Sequence, residues 1–379
     1  ICQISLLSFP RTLLLEMAAI SVISFSIASS LFINSVTFEG KNTLSLEVVM
    51  LEEFPPIKHS IYFNTAYVGL MPMPLYEFRQ AHDQDYFLNG DLYKLDAYAT
   101  IEKKGESVAS FFGASKNQTI LVSNFSESIR FALSMLPKSM RFLLLKEDYP
   151  SLTLAVKEAG FESTEIPVSY TLETDIETII ESKKIDVLAL SVVQYISGIE
   201  IDQDFLLELK KKYPDLLIIG DGTQFLGTAP FNFTNSPFDV LAASGYKWLM
   251  AGFGNGVLFF SDYFKALINK SHDQIIEKYY VGHFNILAIA SLAKAIELIQ
   301  ARGFSQMLNR KKHLTTLLNN GLLDLKLISP LISNRKKHSS IFAIPDKKNL
   351  FERLIEKNIR CAQRGGFIRI SLHFLIQKK

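Results

Sequence analysis

The run Asp239-Val240-Leu241-Ala242-Ala243 leads into Ser244-Gly245-Tyr246-Lys247-Trp248, and an earlier run, Leu216-Leu217-Ile218-Ile219-Gly220, leads into Asp221-Gly222-Thr223-Gln224. Each is a short, uninterrupted apolar stretch that stops at a turn, the pattern of a strand buried on both faces. An acid and a lysine therefore stand at the ends of two successive strands. In an open α/β sheet, ligands gather beyond those carboxyl ends.

Working outward, further strand-like runs occur at Arg141–Leu145, Ile185–Val193 and Val257–Phe260. Helical stretches separate most of them, such as Asp204 to Tyr213, which Pro214 closes. Strands alternating with helices predict a parallel sheet inside helical layers. Val257–Phe260 should break the rule, because the short gap after Ser244 has no room for a crossover helix; this strand is expected to run antiparallel. Gly252, Gly254 and Gly256 precede a strand rather than a helix, so they read as a tight turn rather than a dinucleotide phosphate loop. Leu75 to Phe112 has a helical texture, and Ser126-Glu127-Ser128 suggests a helix start with a serine cap. Ile286 to Gln300 reads as a buried helix stopped by Gly303. Beyond it lie strands near Ser340 to Ile344 and Gly366 to Leu372, in a smaller α+β unit.

The acid and the lysine suit one chemistry in particular. A lysine can hold pyridoxal 5'-phosphate (PLP) as an imine, while a carboxylate keeps the ring nitrogen protonated. Singly, each signal is weak, since a strand ending in Asp-Gly is more often a turn and a lysine beside a tryptophan more often a surface cation. Their order and spacing give them weight.

The stretch from about Ile61 to Ser371 resembles class V of the fold-type-I PLP enzymes, the group of cysteine desulfurases, kynureninases and several aminotransferases. The matching pieces are Ile61-Tyr-Phe-Asn-Thr-Ala-Tyr-Val-Gly69, Ser123-Asn-Phe-Ser-Glu-Ser128, Asp148-Tyr-Pro-Ser151 and Val193-Gln-Tyr-Ile-Ser-Gly198, followed by Asp221-Gly-Thr-Gln224, Ser244-Gly-Tyr-Lys-Trp248, Gly282-His-Phe-Asn285 and Arg364-Gly-Gly-Phe-Ile-Arg-Ile-Ser371. The resemblance implies a mostly parallel seven-stranded sheet between helices, with a smaller α+β C-terminal domain. It also implies roles. Lys247 would carry the cofactor, Asp221 would face its ring nitrogen, and Tyr149 would stack on the ring unless it is an ordinary loop tyrosine. Ser126, Glu127 and Ser128 would offer a helix start to the phosphate, helped by the hydroxyls of Ser244 and Tyr246. Gln194, Tyr195 and Gln224 would flank the ring oxygen. His283 and Asn285 would reach the phosphate of a neighbouring subunit, implying a homodimer with shared sites. Arg369 would grip the substrate carboxylate, with Tyr67 nearby, unless it is a strand arginine facing solvent.

The implied activity is that of a PLP-dependent aminotransferase or related lyase acting on a small amino acid. A cysteine desulfurase, selenocysteine lyase or kynureninase-like lyase is one alternative, and a catalytically impaired PLP-fold protein is another. Cys361 lies too close before Arg369 for a long mobile loop, so it reads as a small strand-edge residue rather than a persulfide carrier. Tyr246 also stands where desulfurases usually have histidine.

Composition narrows the rest. Lys+Arg of 40 against Asp+Glu of 38 leaves no basic excess for nucleic acid, and Lys210-Lys211-Lys212 and Arg335-Lys336-Lys337 read as solvated edges. Two cysteines near opposite ends make no disulfide framework, so a reducing, cytoplasmic setting is expected. The seven histidines lack zinc-ligand spacing, so no metal site is expected. We divide the chain into an N-terminal apolar extension (1–49), a large PLP-binding domain (50–300) and a small C-terminal domain (301–379). The uncharged stretch Met17 to Phe38 is read as an unstructured or spurious extension in preference to a membrane anchor or signal core. The chain's end at Leu375-Ile-Gln-Lys-Lys379 reads as shortened against relatives that continue into a final helix.

Overall fold

The structure is a computed structural model that describes residues 46–375. The apolar run from Met17, Cys2 and the last four residues lie outside the described residues. A helix over Leu46–Glu53 crosses the boundary expected at residue 49, and Met50 and Phe54 beside it are buried in the main core. The extension is therefore not irregular all the way to that boundary.

Twelve strands are defined among the described residues: β1 (Ile61–Tyr62), β2 (Thr119–Val122), β3 (Arg141–Leu145), β4 (Glu162–Ile166), β5 (Val187–Ser191), β6 (Leu217–Asp221), β7 (Val240–Ser244), β8 (Gly256–Phe260), β9 (Ile341–Pro345), β10 (Ile359–Arg360), β11 (Ala362–Arg364) and β12 (Phe367–Ser371). Seven of them form one sheet in the order β2-β8-β7-β6-β5-β3-β4. The pairs from β4 through β7 are parallel, and β8 is antiparallel to both β2 and β7. This is the mostly parallel α/β architecture expected, including the reversed strand. Gly252 and Gly254, at φ of 73° and 84°, make the turn that allows the reversal.

The strands β5 to β8 are buried along their whole length because they are apolar on both faces. Two strands of the large sheet escaped the sequence reading. β4 is an edge strand with the sequence Glu-Ser-Thr-Glu-Ile, and polar residues protect an edge while erasing the apolar signal. β2 is the short strand at the opposite edge. The helical stretch before it is two helices, Met73–Asn89 and Asp91–Phe111, broken where Gly90 takes a φ of 53°. Ile286–Arg302 ends as expected on Gly303, at φ 86°.

β9, β12 and β11 form a separate antiparallel sheet with its own core, in which Phe63 packs with Leu314, Leu318, Phe342 and Ile370. The segment after β1 ties this sheet to the large one. β1 pairs with β10, Asn64 bridges to Ser371, and Ser371 Oγ accepts from the Ala66 amide at 2.9 Å while donating to the Phe63 carbonyl at 3.2 Å. The Ser371 hydroxyl and the two backbone groups it bonds are buried. Ser371→Ala should strand the Ala66 amide and lower the unfolding free energy by about 1–3 kcal/mol in a denaturant titration; an unchanged midpoint would show that the hydroxyl holds nothing.

Candidate active site

Asp221 is the last residue of β6, and Lys247 follows the end of the neighbouring β7. The turn carrying Lys247 is fixed on several sides. The Ser244 amide donates to Thr223 Oγ1 (3.2 Å), Ser244 Oγ accepts from the Phe125 amide (2.9 Å), and the Gly69 amide donates to the Tyr246 carbonyl (2.9 Å). A Cβ on Gly69 would overlap the Lys247 carbonyl, so the preceding segment lies directly against the lysine's backbone. Trp248 anchors the far side. Its indole N–H donates to Gln224 Oε1 at 2.8 Å, and its ring stacks on His373 with centroids 5.7 Å apart. Burial pushes the His373 imidazole down to about 3, so the partner of that stack is neutral.

Three charged side chains are buried here: Asp221 at 4% exposure, Lys247 at 8% and Arg369 at 2%. Among the described residues none of the three is in an ion pair. Desolvation pushes the Asp221 carboxyl above its ordinary range, opposed by hydrogen bonds from Thr223 and by the charge of Lys247; Oδ1 accepts the Thr223 amide at 2.8 Å. Desolvation likewise pulls the Lys247 amine down. Asp221 opposes that shift, while Arg369 and Arg364 add to it. Arg369 Nη1 donates to the Tyr195 carbonyl at 2.8 Å, and its buried Nε has no partner. A solvent-facing strand arginine is excluded. Lys247 Nζ lies 5.8 Å from the centre of the Tyr149 ring and 5.5 Å from that of Tyr246, and Tyr149 meets Tyr195 edge to face at 5.5 Å.

The structure thus brings together Lys247, Asp221, Arg369, Tyr149, Tyr195 and Tyr246, with Ser244 at the base of the turn. Other expected residues are engaged elsewhere. The Gln224 amide accepts from Trp248 at its oxygen and donates one of its two N–H groups to the Ala66 carbonyl (2.9 Å). Gln194 donates to the Glu147 carbonyl, and its oxygen accepts from Ile196, Ser197 and the Ser197 hydroxyl, so it shapes its own loop. The helix at Ser126 runs over Phe125–Leu133, and its cap is Asn124 rather than a serine, through Oδ1 to the Glu127 amide at 2.9 Å. The expected serines lie inside the helix, where Ser126 bonds Ser151 and Ser128 donates back to the Asn124 carbonyl. His283 bonds the Tyr98 hydroxyl at 2.9 Å, and Asn285 caps its own helix. Both line a separate cleft of about 320 Å³ with Ser123, Glu127 and Tyr280, which neither Lys247 nor Asp221 reaches. Tyr67 is half exposed at the rim under Arg364.

Sequence reading passed over Asp148 as a site residue. It is buried at the end of β3, accepting from the Tyr149 amide and from the Ser191 amide at 2.7 Å each, and burial pushes its carboxyl upward. Its place before Tyr149, after an apolar strand, was the available signal.

The comparisons accord with this geometry. The aminotransferase class-V family model matches residues 89–359, and the chain belongs to that family. A probable cysteine desulfurase of Mycoplasma genitalium is 28% identical over 249 residues, 58% of this chain. The match spans 60% of that relative's length. Among solved structures, a C-DES mutant with glycine covalently linked to its PLP cofactor aligns with a TM-score of 0.77 at 18% identity, covering 86% of this chain and 95% of that one. The apo cysteine desulfurase of Thermococcus onnurineus aligns at 0.71 and 20% identity, covering 89% and 96%. These likenesses show the shared fold.

The residues present fit PLP: a buried amine outside any ion pair, a buried acid beside it, a buried guanidinium with a free N–H and a tyrosine ring facing the amine. Because Asp221 favours the charged amine, Asp221→Asn should move the pH midpoint for acylation of Lys247 further downward, as peptide mapping across a pH series would show. An upward or absent shift would mean that the two groups do not share a field.

Proposed function

We propose that this protein is a PLP-dependent aminotransferase or related lyase acting on a small amino acid. The observation that carries the reading is the convergence of Lys247, Asp221 and Arg369, each buried and none spent on another. PLP, when bound, supplies an electron sink that stabilises negative charge at the substrate α-carbon. Lys247 is the residue that would hold it covalently, and Asp221 the residue that would keep its ring nitrogen protonated. Arg369 takes the substrate α-carboxylate, and its unpartnered Nε beside a bonded Nη1 leaves donors for that task. The Lys247 amine moves the proton at the α-carbon. Its depressed basicity makes a neutral amine available at lower pH than an exposed lysine would allow, which suits a general base. Burial of all three groups keeps water from competing.

Desulfuration through Cys361 has less support, despite the relatives' names. That thiol is buried in the core of the small sheet, and burial pushes it up to about 12, so it stays protonated. Sulfide release from cysteine that disappears in Cys361→Ser would favour the desulfurase reading; keto-acid formation with amino transfer favours ours. We include a homodimer in the proposal, supported by the exposed Phe87, Leu88, Leu92 and Leu95 around Gly90, a patch suited to covering by another chain. A cytoplasmic setting and the division at residue 300 complete it. The free thiol of Cys361 supports the first, and the separate core of the small sheet supports the second.

Borohydride reduction of the PLP-loaded protein should fix the cofactor's mass to the peptide carrying Lys247, and Lys247→Ala should abolish both that adduct and the visible absorbance band. An adduct retained on another lysine would refute the assignment.

A further inference from the structure

Arg369 has a second guanidinium beside it. In the β11–β12 hairpin, Ala362 lies opposite Arg369 and Arg364 opposite Phe367. Residues two apart on a strand share a face, so Arg364 stands on the same face as Arg369, a diagonal step of about 7–8 Å away. The hairpin turn is held by Gly365 and Gly366, at φ of 57° and 81°, and a Cβ on Gly365 would press into Ile196. The placement of Arg364 is therefore set by backbone rather than by a flexible loop.

The two arginines have different settings. Arg369 is buried. Arg364 is half-buried, and its Cζ lies 4.9 Å from the centre of the half-exposed Tyr67 ring. It gives one hydrogen bond, from Nη1 to the Gln363 carbonyl at 2.8 Å, which leaves most of its five donors open. Among the described residues neither arginine has a carboxylate within ion-pair distance. The charge of Arg364 also reaches the site, where it lowers both the Lys247 amine and Arg369. Two like charges a diagonal apart on one strand pair repel. An anion on the substrate with two carboxylates would relieve that repulsion at both ends.

We propose that Arg364 is a specificity residue that binds a second anionic group, on the substrate side chain, so that the site prefers amino acids with short acidic side chains. The inference rests on the reading above, in which Arg369 takes the α-carboxylate beside Lys247. Tyr67 acts as the platform that keeps the Arg364 plane edge-on to the incoming group.

The test is calorimetric titration of the PLP-loaded protein with succinate and with propionate. Succinate should bind about tenfold more tightly than propionate, the gain of one charged hydrogen-bonded pair. Arg364→Gln should erase that preference and leave propionate affinity unchanged, whereas Arg369→Gln should weaken both. In turnover at a pH where Lys247 is deprotonated in both proteins, Arg364→Gln should raise KM for aspartate far more than KM for alanine. The pH midpoint of turnover should move upward for both substrates, because Arg364 no longer lowers the Lys247 amine. A succinate preference that survives in Arg364→Gln, or its absence in the unaltered protein, would overturn the role. Arg364→Lys, which keeps the charge but loses the planar fork, should retain part of the preference and guards against a folding artefact. If propionate itself fails to bind while borohydride still fixes PLP to Lys247, the Arg369 assignment fails, and this proposal falls with it. If borohydride fixes nothing, the cofactor reading has failed.

Discussion

A lysine amine taken out of water, near a carboxylate but outside ion-pair distance of it, is the constraint on which the rest of this structure depends. Burying a charge without a close partner is costly, and the usual outcome is a shifted proton equilibrium or a collapsed salt bridge. Neither Asp221 nor Lys247 is free to move toward the other. Asp221 is the terminal residue of a fully buried strand and is bonded to the Thr223 amide. Lys247 sits on a turn gripped by Gly69 before it and by Trp248, Gln224 and His373 after it. The backbone that carries acid and amine is thus held on both sides, and the two charges stay near one another without forming an ion pair.

That arrangement was partly legible in the sequence, and the physical reasons divide cleanly. The strands β5 to β8 announce themselves because burial on both faces forces continuous apolar runs, and the residues at their ends are then placed by counting. Lys247 and Asp221 were readable for that reason. The edge strand β4 was not, since its polar sequence carries little apolar signal, and β2 is apolar but only four residues long. Among the side chains, the amides and hydroxyls were the least legible. Gln194 and Gln224 carry both donors and acceptors, so sequence alone does not say whether a ligand or the backbone uses them, and here the backbone and Trp248 do. Asn124, not a serine, caps the helix because only its side chain reaches the Glu127 amide.

The likeness to solved cysteine desulfurases is one of fold, and the setting of Cys361 is a separate matter. A nucleophilic cysteine needs exposure and an electropositive setting to become a thiolate. Cys361 has a neighbouring core of Leu314, Phe342 and Ile368 and the negative charge of Asp346, both of which oppose ionisation. The stretch that follows it, Ala362–Arg364, is a strand paired in register with β12, and a paired strand does not swing. The same hairpin that removes mobility from the cysteine delivers Arg364 and Arg369 to the site, so one structural choice exchanges a reactive loop for a fixed pair of cations.

Arg369 belongs to a sheet that is separate from the one carrying Lys247, so the substrate grip proposed for it would exist only while the two sheets keep their register. Three contacts maintain it. The Ser339 amide donates to the Gly198 carbonyl at 3.0 Å, in a place where a Cβ on Gly198 would overlap the Ile341 carbonyl. Ser371 holds the Ala66 amide, two strand positions beyond Arg369 and on the same face. Arg369 itself bonds the Tyr195 carbonyl, in the loop that ends at Gly198. Each contact uses backbone on at least one side, which leaves little room for side-chain adjustment. A slip of one residue in β12 would turn Arg369 away from Lys247 and replace it with Ile368 or Ile370. The placement of Arg369 beside Lys247 is therefore set as much by the seam between two sheets as by the residues at its centre.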